Sequence, residues 1–388
     1  MIKVGFIINF KKNSWLGGYN YFINLFKCIS LIKKNKIIPV IITDNSKIIL
    51  NDKILRNFEV IETSLVNKQF TLLRIIQKIS LLIFNKNILL HNFLKKNGIK
   101  SLSHSEVLGK NSSIPSYPWF PDFQEIHLPE NFTKKDKFFR KLNIKLASTH
   151  STKIIVSTNS VQKDLKKISY EAFMKSCVIK HHALLPEKIN FQNFLFLKKK
   201  YNIKKSFFLV PNHYWQHKNH LCILKAIKEL KSKKIDFEII STGLFHDHRN
   251  PSHLISLKTY IKENKLEKYY KIIGIIPFID MLSLMYHSLA VINPSKSEGL
   301  SNSVEQAKTL HKNVILSNIP VHKEQISKNF YYFEVNDHNK LASLMYNHLK
   351  YKKLKKKQKI KEIKKNNIIK NLNFAKKYQK LIVENITL

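Results

Sequence analysis

The stretch Leu289–Gln306, LAVINPSKSEGLSNSVEQ, is the most informative part of this sequence. A short apolar run, Leu289–Pro294, is followed by a polar loop containing Glu298 and Gly299, and then by a helical pattern. A buried strand that turns through such a loop into a helix is the repeating unit of a parallel sheet covered by helices. The stretch therefore predicts an α/β fold.

The start of the predicted helix suits an anionic ligand. Ser301, Asn302 and Ser303 are residue types that cap helices, and Ser303 and Gln306 have the spacing of a capping box. Backbone N–H groups at a helix start attract phosphate, and Gly299 lets the backbone come close to a ligand. Capped helices are common, so a purely structural helix start is the alternative at this point.

The same alternation of strand and helix extends over almost the whole chain of 388 residues, a length that suits two domains. It begins at Lys3–Asn9 and resumes at Phe207–Pro211, after a polar, lysine-rich interval. Two such series predict two doubly wound, Rossmann-like domains, with ligands at the carboxyl ends of the strands in a cleft between the domains. We expect an N-terminal domain at 1–188, a linker at 189–205, a C-terminal domain at 206–349, and a basic helical segment at 350–388 that packs on the N-terminal domain.

The charge of the chain is strongly positive. Lys and Arg total 68 and Asp and Glu total 26, which gives a net charge of +42. Arginine is the preferred reader of bases and phosphates, and its scarcity argues against specific nucleic-acid binding. An anionic membrane surface is the favoured partner, with a merely solvated basic surface as the alternative. The apolar, lysine-studded stretch Leu72–Lys96 is the candidate contact, although an ordinary pair of domain helices more often has this pattern.

The cysteines and the apolar runs indicate the cellular compartment in which the protein is expected to work. Cys28, Cys177 and Cys222 lie far apart, which excludes a disulfide framework and predicts a reducing cytoplasm. The apolar run at the N-terminus reads as a first strand and not as a secretory signal. No charge-free apolar run approaches the roughly 18 residues that a spanning helix needs.

A second informative segment is Phe208–His220, FLVPNHYWQHKNH. It leads from a strand into a loop that carries the hydrogen-bonding residues Asn212, His213 and Trp215 and the cation Lys218. A loop of this kind can hold a diphosphate. Its histidines lack acidic or cysteine partners at metal-ligand spacing, so no metal is expected.

Two segments of the N-terminal half complete the candidate sites. The pair Gly17–Gly18 is conspicuous in a chain with eight glycines, and it allows either close approach to a ligand or a tight turn. The aromatic, proline-broken loop Tyr117–Pro129 carries Asp122, Gln124 and His127. Such a loop is either a structural lid or the polar wall of a pocket.

Taken together and in this order, the segments resemble those of family 4 glycosyltransferases, the retaining class with two facing Rossmann-like domains. The resemblance covers nearly the whole chain and is closest to bacterial members that build cell-envelope polysaccharides such as lipopolysaccharide. NSWLGGYNYFINL resembles the family's Gly-Gly loop, and VPNHYWQHKNH resembles the start of its donor domain. PWFPDFQEIHLPENF with TKIIVSTNSVQKDL resembles the acceptor-domain signature, and SEGLSNSVEQAKTLHKNVILSNIPVHKEQ resembles the donor-binding signature.

The resemblance implies roles for individual residues. Glu298 would contact the hydroxyls of the donor sugar, Lys218 would hold the diphosphate, and Gly274 with Ile275 would hold the base. The implied catalytic residues are Glu298, Lys218, His127 and Asp122. The implied donor-binding residues are Gly17, Gly18, Asn212, His213, Trp215, Gly274, Ile275, Gly299, Leu300, Ser301, Asn302, Ser303 and Gln306, with Gln124 on the acceptor side.

The chain departs from the family pattern in three places. Gln306 stands where the family has its second glutamate, and the adjacent Glu305 points about 100° away on a helix. The arginine that often accompanies the diphosphate lysine is missing, and Asn212 or His213 occupies its neighbourhood. Pro121 replaces a family histidine, for which His127 is the substitute.

The resemblance implies transfer of a hexose, such as mannose or a related sugar, from a nucleotide diphosphate sugar to a glycan or lipid-linked acceptor, with retention of configuration. It implies no cofactor and no metal. The enzyme would act in the cytoplasm, peripherally on the inner face of the plasma membrane. The alternatives are a non-catalytic nucleotide-sugar or glycan-binding protein of the same fold, motivated by Gln306, and a basic nucleic-acid-binding protein.

Overall fold

The structure is a computed structural model that describes residues 1–10, 15–67, 71–183, 185–186, 190–247, 249–325, 327–351 and 360–386. The chain forms two compact units. The first unit comprises Met1–Phe123, Thr133–His181 and Ile369–Leu388, and the second comprises Gln124–Phe132 and His182–Ile368.

Strands and helices alternate along both units, as the sequence pattern predicts. The strands are β1 (Ile2–Ile7), β2 (Ile37–Thr43), β3 (Glu59–Glu62), β4 (Ser101–Ser103), β5 (Ser116–Tyr117), β6 (Trp119–Phe120), β7 (Ile154–Val156), β8 (Ser176–Val178), β9 (Phe207–Pro211), β10 (Glu238–Thr242), β11 (Tyr270–Gly274), β12 (Val291–Asn293), β13 (Val314–Ser317) and β14 (Phe330–Phe333). The helices are α1 (Leu16–Ser30), α2 (Ser46–Leu50), α3 (Leu72–Phe84), α4 (Ile88–Lys96), α5 (Gln124–His127), α6 (Lys134–His150), α7 (Asn159–Ile168), α8 (Tyr170–Lys175), α9 (Phe194–Lys200), α10 (His220–Ser232), α11 (His253–Glu263), α12 (Phe278–His287), α13 (Asn302–Thr309), α14 (Pro320–Glu324), α15 (His338–Lys350) and α16 (Ile360–Glu384).

The second unit is built on a parallel sheet with strand order β11-β10-β9-β12-β13-β14. Counted from its first strand, this order is that of doubly wound dinucleotide-binding sheets. The order reverses between β9 and β12, which pair through Leu209 and Val291. Ligands of such sheets bind where the loops leave these two strands in opposite directions. The fold therefore brings together the loops after β9 and β12, the two segments singled out from the sequence.

Side chains of β9 alternate between two apolar layers. Phe208 and Val210 pack in the layer that includes α10, and Phe207 and Leu209 pack in the layer that includes α12 and α13. A strand buried on both faces reads as a continuous apolar run, as this one does. Helices thus cover both faces of the sheet.

Residues 190–205, the described part of the linker expected at 189–205, contain a helix. Within this interval α9 forms, and Leu197 and Ile203 are buried in the core of the second unit. The lysines at 198–200 lie in the last turn of α9, which a cation stabilises. The polar composition that suggests a linker is therefore that of the outer face of a helix.

The first unit contains a parallel sheet with strand order β3-β2-β1-β4-β5 and a second parallel sheet with strand order β6-β7-β8. The central strand β1 contributes Phe6, which packs against Phe22, Phe26 and Tyr378. Tyr378 comes from α16, so the C-terminal helix completes the core of this unit. The expected fold class, α/β with two doubly wound Rossmann-like domains, is confirmed.

The stretch Leu72–Lys96 forms two helices, α3 and α4. Asn85 ends α3 in a left-handed conformation with φ 51°. Among the described residues, none of the helices combines the length and the apolar composition that a membrane span requires. Part of the basic segment expected at 350–388, residues 352–359, lies outside the described residues.

Candidate active site

The loops that leave β9 and β12 place Lys218 against Glu298. Lys218 Nζ lies 2.6 Å from Glu298 Oε1, and the two side chains are 14% and 8% exposed. The hydroxyl of Ser295 also lies 2.6 Å from Glu298 Oε1. Two residues that sequence reasoning chose independently, 80 positions apart, thus form a largely buried ion pair at the carboxyl edge of the sheet.

The ion pair fixes the protonation state of Glu298. Burial by itself raises the pKa of this carboxyl, but Lys218, which also donates a hydrogen bond to it, acts together with His217 and His322 to hold the pKa at about 2. Glu298 is therefore an ionised carboxylate at neutral pH that accepts hydrogen bonds and donates none. A buried ion pair is a weak source of stability, so its presence at the ligand-binding edge favours a functional role.

Asn293, the last residue of β12, is fully buried and organises this edge. Its Oδ1 accepts hydrogen bonds from Asn212 Nδ2 at 3.1 Å and from the backbone N–H of Ser295 at 3.2 Å. Its Nδ2 donates to Ser301 Oγ at 2.8 Å. Asn293 thereby ties the loop after β9, the loop after β12 and the start of α13 to one another.

Helix α13 starts differently from the predicted capping box. Ser301 precedes the helix, but its side chain does not cap it, because its hydroxyl is taken by Asn293. Ser303 lies inside the helix and its hydroxyl donates to Asn212 Oδ1 at 3.4 Å. The predicted pairing of Ser303 with Gln306 is therefore wrong, since buried amides compete successfully for these hydroxyls.

Gln325, fully buried at the end of α14, holds the start of α13 in place. Its side chain accepts from the N–H of Ser301 at 3.3 Å and donates to the carbonyl of Ser301 at 3.0 Å. It also lies 3.0 Å from Glu305 Oε1. Sequence reasoning missed Gln325. The residue lies in the next βα unit along the chain, and no motif around it in the sequence indicates that its side chain contacts the start of α13.

Glu305 is directed into the protein. It contacts Gln325 and His182, whose Nδ1 is 3.2 Å from Glu305 Oε2. Burial raises the pKa of Glu305, but these contacts together with Lys308 hold it at about 2. Gln306 is half-buried on the adjacent side of the helix. The two neighbours therefore differ in environment, as the helical geometry predicts.

Arg249 is a second cation near this edge, and the sequence analysis missed it. Its Nη2 lies 3.3 Å from His217 Nδ1, and its guanidinium lies over the rings of Trp215 and Phe132. Burial and then the charge of Lys218 hold the pKa of His217 well below its usual value, so this imidazole is neutral and can accept from Arg249. One signal was available, since Arg249 is the one arginine within residues 182–368.

Arg249 also donates to Gln124 Oε1 at 3.1 Å. Gln124 and His127 belong to the segment 124–132, which is part of the second unit although the sequence analysis assigned it to the N-terminal domain. His127 is exposed at the end of α5. The acceptor-side candidates are therefore divided, because Asp122 belongs to the first unit.

The remaining predicted residues of the loop after β9 support its conformation. His213 Nδ1 accepts from the backbone N–H of Leu244 at 3.0 Å, and burial lowers the pKa of His213 to about 4. Trp215 Nε1 donates to the carbonyl of His246 at 3.0 Å. Both contacts tie this loop to the loop after β10. Asn212 is buried against Asn293, as described above.

Gly274 ends β11 with φ 71°, a left-handed conformation that disfavours other residues. A Cβ there would lie 2.9 Å from the ring of Phe245. The following residue, Ile275, is 59% exposed at the carboxyl edge of the sheet. At the start of α13, Gly299 is buried, and Leu300 and Asn302 are half-buried.

The paired glycines of the first unit differ from each other. A Cβ on Gly18 would overlap the ring of Trp15, at 2.3 Å, whereas a Cβ on Gly17 would approach Trp15 no closer than 4.0 Å. Packing against Trp15 therefore requires glycine at position 18, in the first turn of α1. At position 17 a side chain would fit, so packing alone does not require glycine there. The preceding residues 11–14 lie outside the described residues.

No set of three or more His, Cys, Asp and Glu side chains within the described ranges is arranged to hold a metal ion. Cys28, Cys177 and Cys222 are free thiols.

Residues 193–367 match the family model described as "Glycosyl transferases group 1". This part of the chain is a group 1 glycosyltransferase domain. It contains Lys218, Arg249 and Glu298, and it accounts for most of the second unit. The resemblance inferred from the sequence motifs is confirmed, and with it the enzyme class.

The fold is similar to that of several solved glycosyltransferases. A glycosyltransferase from Rickettsia africae is 18% identical, with a TM-score of 0.68 over 100% of this chain and 98% of that one. HepE from Anabaena, solved with UDP and glucose, is 12% identical, with a TM-score of 0.66 over the whole of both chains. WaaG, a glycosyltransferase involved in lipopolysaccharide biosynthesis, is 12% identical, with a TM-score of 0.63 over 96% of this chain and 95% of that one. No curated protein sequence matches the chain.

Proposed function

We propose that this protein is a retaining hexosyltransferase that moves a sugar such as mannose from a nucleotide diphosphate donor to a glycan or lipid-linked acceptor. The observation that carries the proposal is the buried Lys218–Glu298 pair at the edge where β9 and β12 diverge, inside a group 1 glycosyltransferase domain. It offers one cation and one ionised acceptor side by side. A nucleotide sugar presents the complementary groups, an anionic diphosphate next to a ring of hydroxyls.

In this proposal Glu298 accepts hydrogen bonds from hydroxyls of the donor sugar. Lys218 has three N–H donors, so it can serve the diphosphate while still contacting Glu298. Arg249 adds a second positive charge, in place of the arginine that the family pattern leads one to expect. These groups stabilise the charge that develops on the leaving diphosphate.

The chemistry then needs no nucleophile from the protein. The bond between the anomeric carbon and the diphosphate oxygen breaks, and the acceptor hydroxyl forms the new bond on the same face. The proton of that hydroxyl passes to the departing diphosphate. Protein cations offset the charge in this scheme, and we propose that no resident metal or cofactor takes part.

The proposal is tested with a panel of nucleotide diphosphate sugars. The true donor should raise the melting temperature of the protein by mass action, and it should be consumed when acceptor glycans are added. NMR of the product should show the anomeric configuration of the donor. Inversion would exclude the retaining mechanism. Stabilisation by a donor without turnover on any acceptor would favour the non-catalytic binding protein that Gln306 suggests.

We also propose that the acceptor belongs to a cell-envelope glycan and that the enzyme works in the cytoplasm, on the anionic inner face of the plasma membrane. The role of WaaG supports the glycan class. The free thiols suit a reducing compartment, and the net charge of +42 suits an anionic surface. Helix α3 adds an exposed apolar face, with Leu72, Leu82 and Ile83 at 73%, 66% and 65% exposure.

A further inference from the structure

Helix α6 exposes two aromatic side chains to solvent. Phe138 is 64% exposed and Phe139 is 44% exposed, and their rings contact each other edge to face at 5.6 Å. Both lie in the first half of the helix, where every residue from 134 to 139 is exposed. Neither ring is buried in the core of the first unit, so both present apolar surface to solvent on an otherwise polar helix.

The orientation of α6 follows from its periodicity. The helix packs on the first unit through Ile144, Ala147 and His150, which are buried at a spacing of three. Ala147 is nine residues after Phe138, and at 100° per residue the two side chains lie on opposite sides of the helix. Phe138 therefore projects directly away from the packed face.

Basic side chains surround this aromatic pair. Lys134 and Lys141 stand four residues before and three residues after Phe138, on the same face of the helix. Asp136, the one acid of this half, is bound within the capping box of Thr133. The lysine and arginine residues of the helix are Lys134, Lys135, Lys137, Arg140, Lys141 and Lys145.

We propose that the first half of α6 is a membrane contact, in which Phe138 and Phe139 insert among the headgroups of an anionic bilayer and the flanking lysines bind lipid phosphates. Charge complementarity and exposed aromatic rings together identify this occupant. Lysine is a flexible point charge without the planar fork that reads a defined phosphate geometry, so it suits a fluid array of headgroups. The inference deepens the proposed membrane association and is independent of the donor chemistry.

Sedimentation with lipid vesicles tests the proposal. The full chain is mixed with phosphatidylcholine vesicles, either alone or containing about 30% phosphatidylglycerol, which supplies the negative surface potential. The double variant Phe138→Ser/Phe139→Ser should bind the anionic vesicles at least about tenfold more weakly than the parent, since it loses most of two inserted aromatic rings. Lys134→Glu/Lys141→Glu should be comparably impaired.

A matched control separates local charge from total charge. Lys225→Glu/Lys228→Glu changes the net charge equally, at two exposed positions of α10 in the second unit, and should retain most of the binding. Equal losses in both lysine variants, or parental binding by the phenylalanine variant, would overturn the proposal. So would parental binding to neutral vesicles.

Sedimentation velocity examines the competing occupant, a second copy of this chain. A parent that dimerises and a phenylalanine variant that is monomeric would assign α6 to self-association and overturn the membrane contact. The stabilisation of each variant by a nucleotide sugar is measured in parallel and should equal that of the parent. That measurement tells failure of the membrane contact apart from failure of the proposed transferase function.

Discussion

At the scale of single residues, the site depends on an ionised carboxylate that is kept from water. Burying either Lys218 or Glu298 alone would be unfavourable, because a charge loses its hydration. Each of the two charges offsets the desolvation cost of the other. Lys218 and Ser295 both contact Oε1, and a carboxylate has about four acceptor sites, so Glu298 can accept further hydrogen bonds. That capacity is what a polyhydroxylated ligand would use.

Glu298→Gln tests this interpretation with minimal change of shape. The amide removes the negative charge and leaves the Lys218 ammonium without its partner, so kcat/KM for sugar transfer should fall by about 10²-fold or more. Far-UV circular dichroism should be unchanged. Lys218→Met/Glu298→Gln is the companion variant, which removes both charges and should recover stability without recovering activity. Transfer by Glu298→Gln at a rate close to that of the parent would remove Glu298 from the site.

Arg249 should contribute to donor affinity as the second cation. Arg249→Gln removes the charge, and we expect the dissociation constant for the nucleotide sugar to rise about tenfold, as for the loss of one charge-assisted contact. Arg249→Lys keeps the charge but not the fork that reaches both Gln124 and His217, so it should recover only part of the affinity. Isothermal titration of both variants decides. Unchanged affinity in Arg249→Gln would assign the residue to holding the segment 124–132 alone.

At the scale of elements, the sequence pattern was informative wherever function depends on strand order. The runs that became β9 and β12 could be read from their apolar residues, and the adjacency of their loops follows from the doubly wound topology. Arg249 and Gln325 could not be found in this way, because their side chains reach the site from other βα units. The assignment of 124–132 to the second unit likewise depends on tertiary contacts such as Arg249–Gln124.

Helix α3 allows the proposed membrane contact to be tested separately from stability within one element. Leu82→Ser/Ile83→Ser changes exposed side chains, so each change should alter the free energy of unfolding by less than about 0.5 kcal/mol while vesicle binding falls. Leu81, one position earlier, is 6% exposed, and Leu81→Ala should cost about 2–5 kcal/mol. Urea denaturation measures the free energy of unfolding of these variants, and vesicle sedimentation measures their membrane binding. Full vesicle binding by the Leu82/Ile83 variant would show that α3 does not face the membrane.

At the scale of the whole molecule, the protein carries a set of buried neutral histidines. Burial lowers the pKa of His104 to about 3 and those of His213, His220 and His322 to about 4. In the unfolded chain these groups titrate near pH 6.5. As the pH falls below that value, the unfolded chain therefore binds protons that the folded chain does not.

Stability should accordingly be complete above about pH 6.5 and should decline as the pH falls towards about 4. The low pKa values of Glu298 and Glu305 add a further loss between their unfolded value, near 4.5, and about 2. The midpoint of urea denaturation should decrease steadily between about pH 7 and pH 5, and His322→Asn should reduce that slope. A midpoint that is constant over this interval would contradict the prediction.

The contribution of α16 to the first unit has a consequence for how the protein is made. Phe6 of β1 packs against Tyr378 of α16, and all residues of the second unit lie between them in the sequence. Phe374, Ala375 and Tyr378 are all buried in that unit. During translation the core of the first unit stays incomplete until α16 has been synthesised, whereas all residues of the second unit are available before that point. We therefore expect that the second unit can fold before the first unit is complete, and that the unfinished first unit exposes apolar surface until α16 has been synthesised.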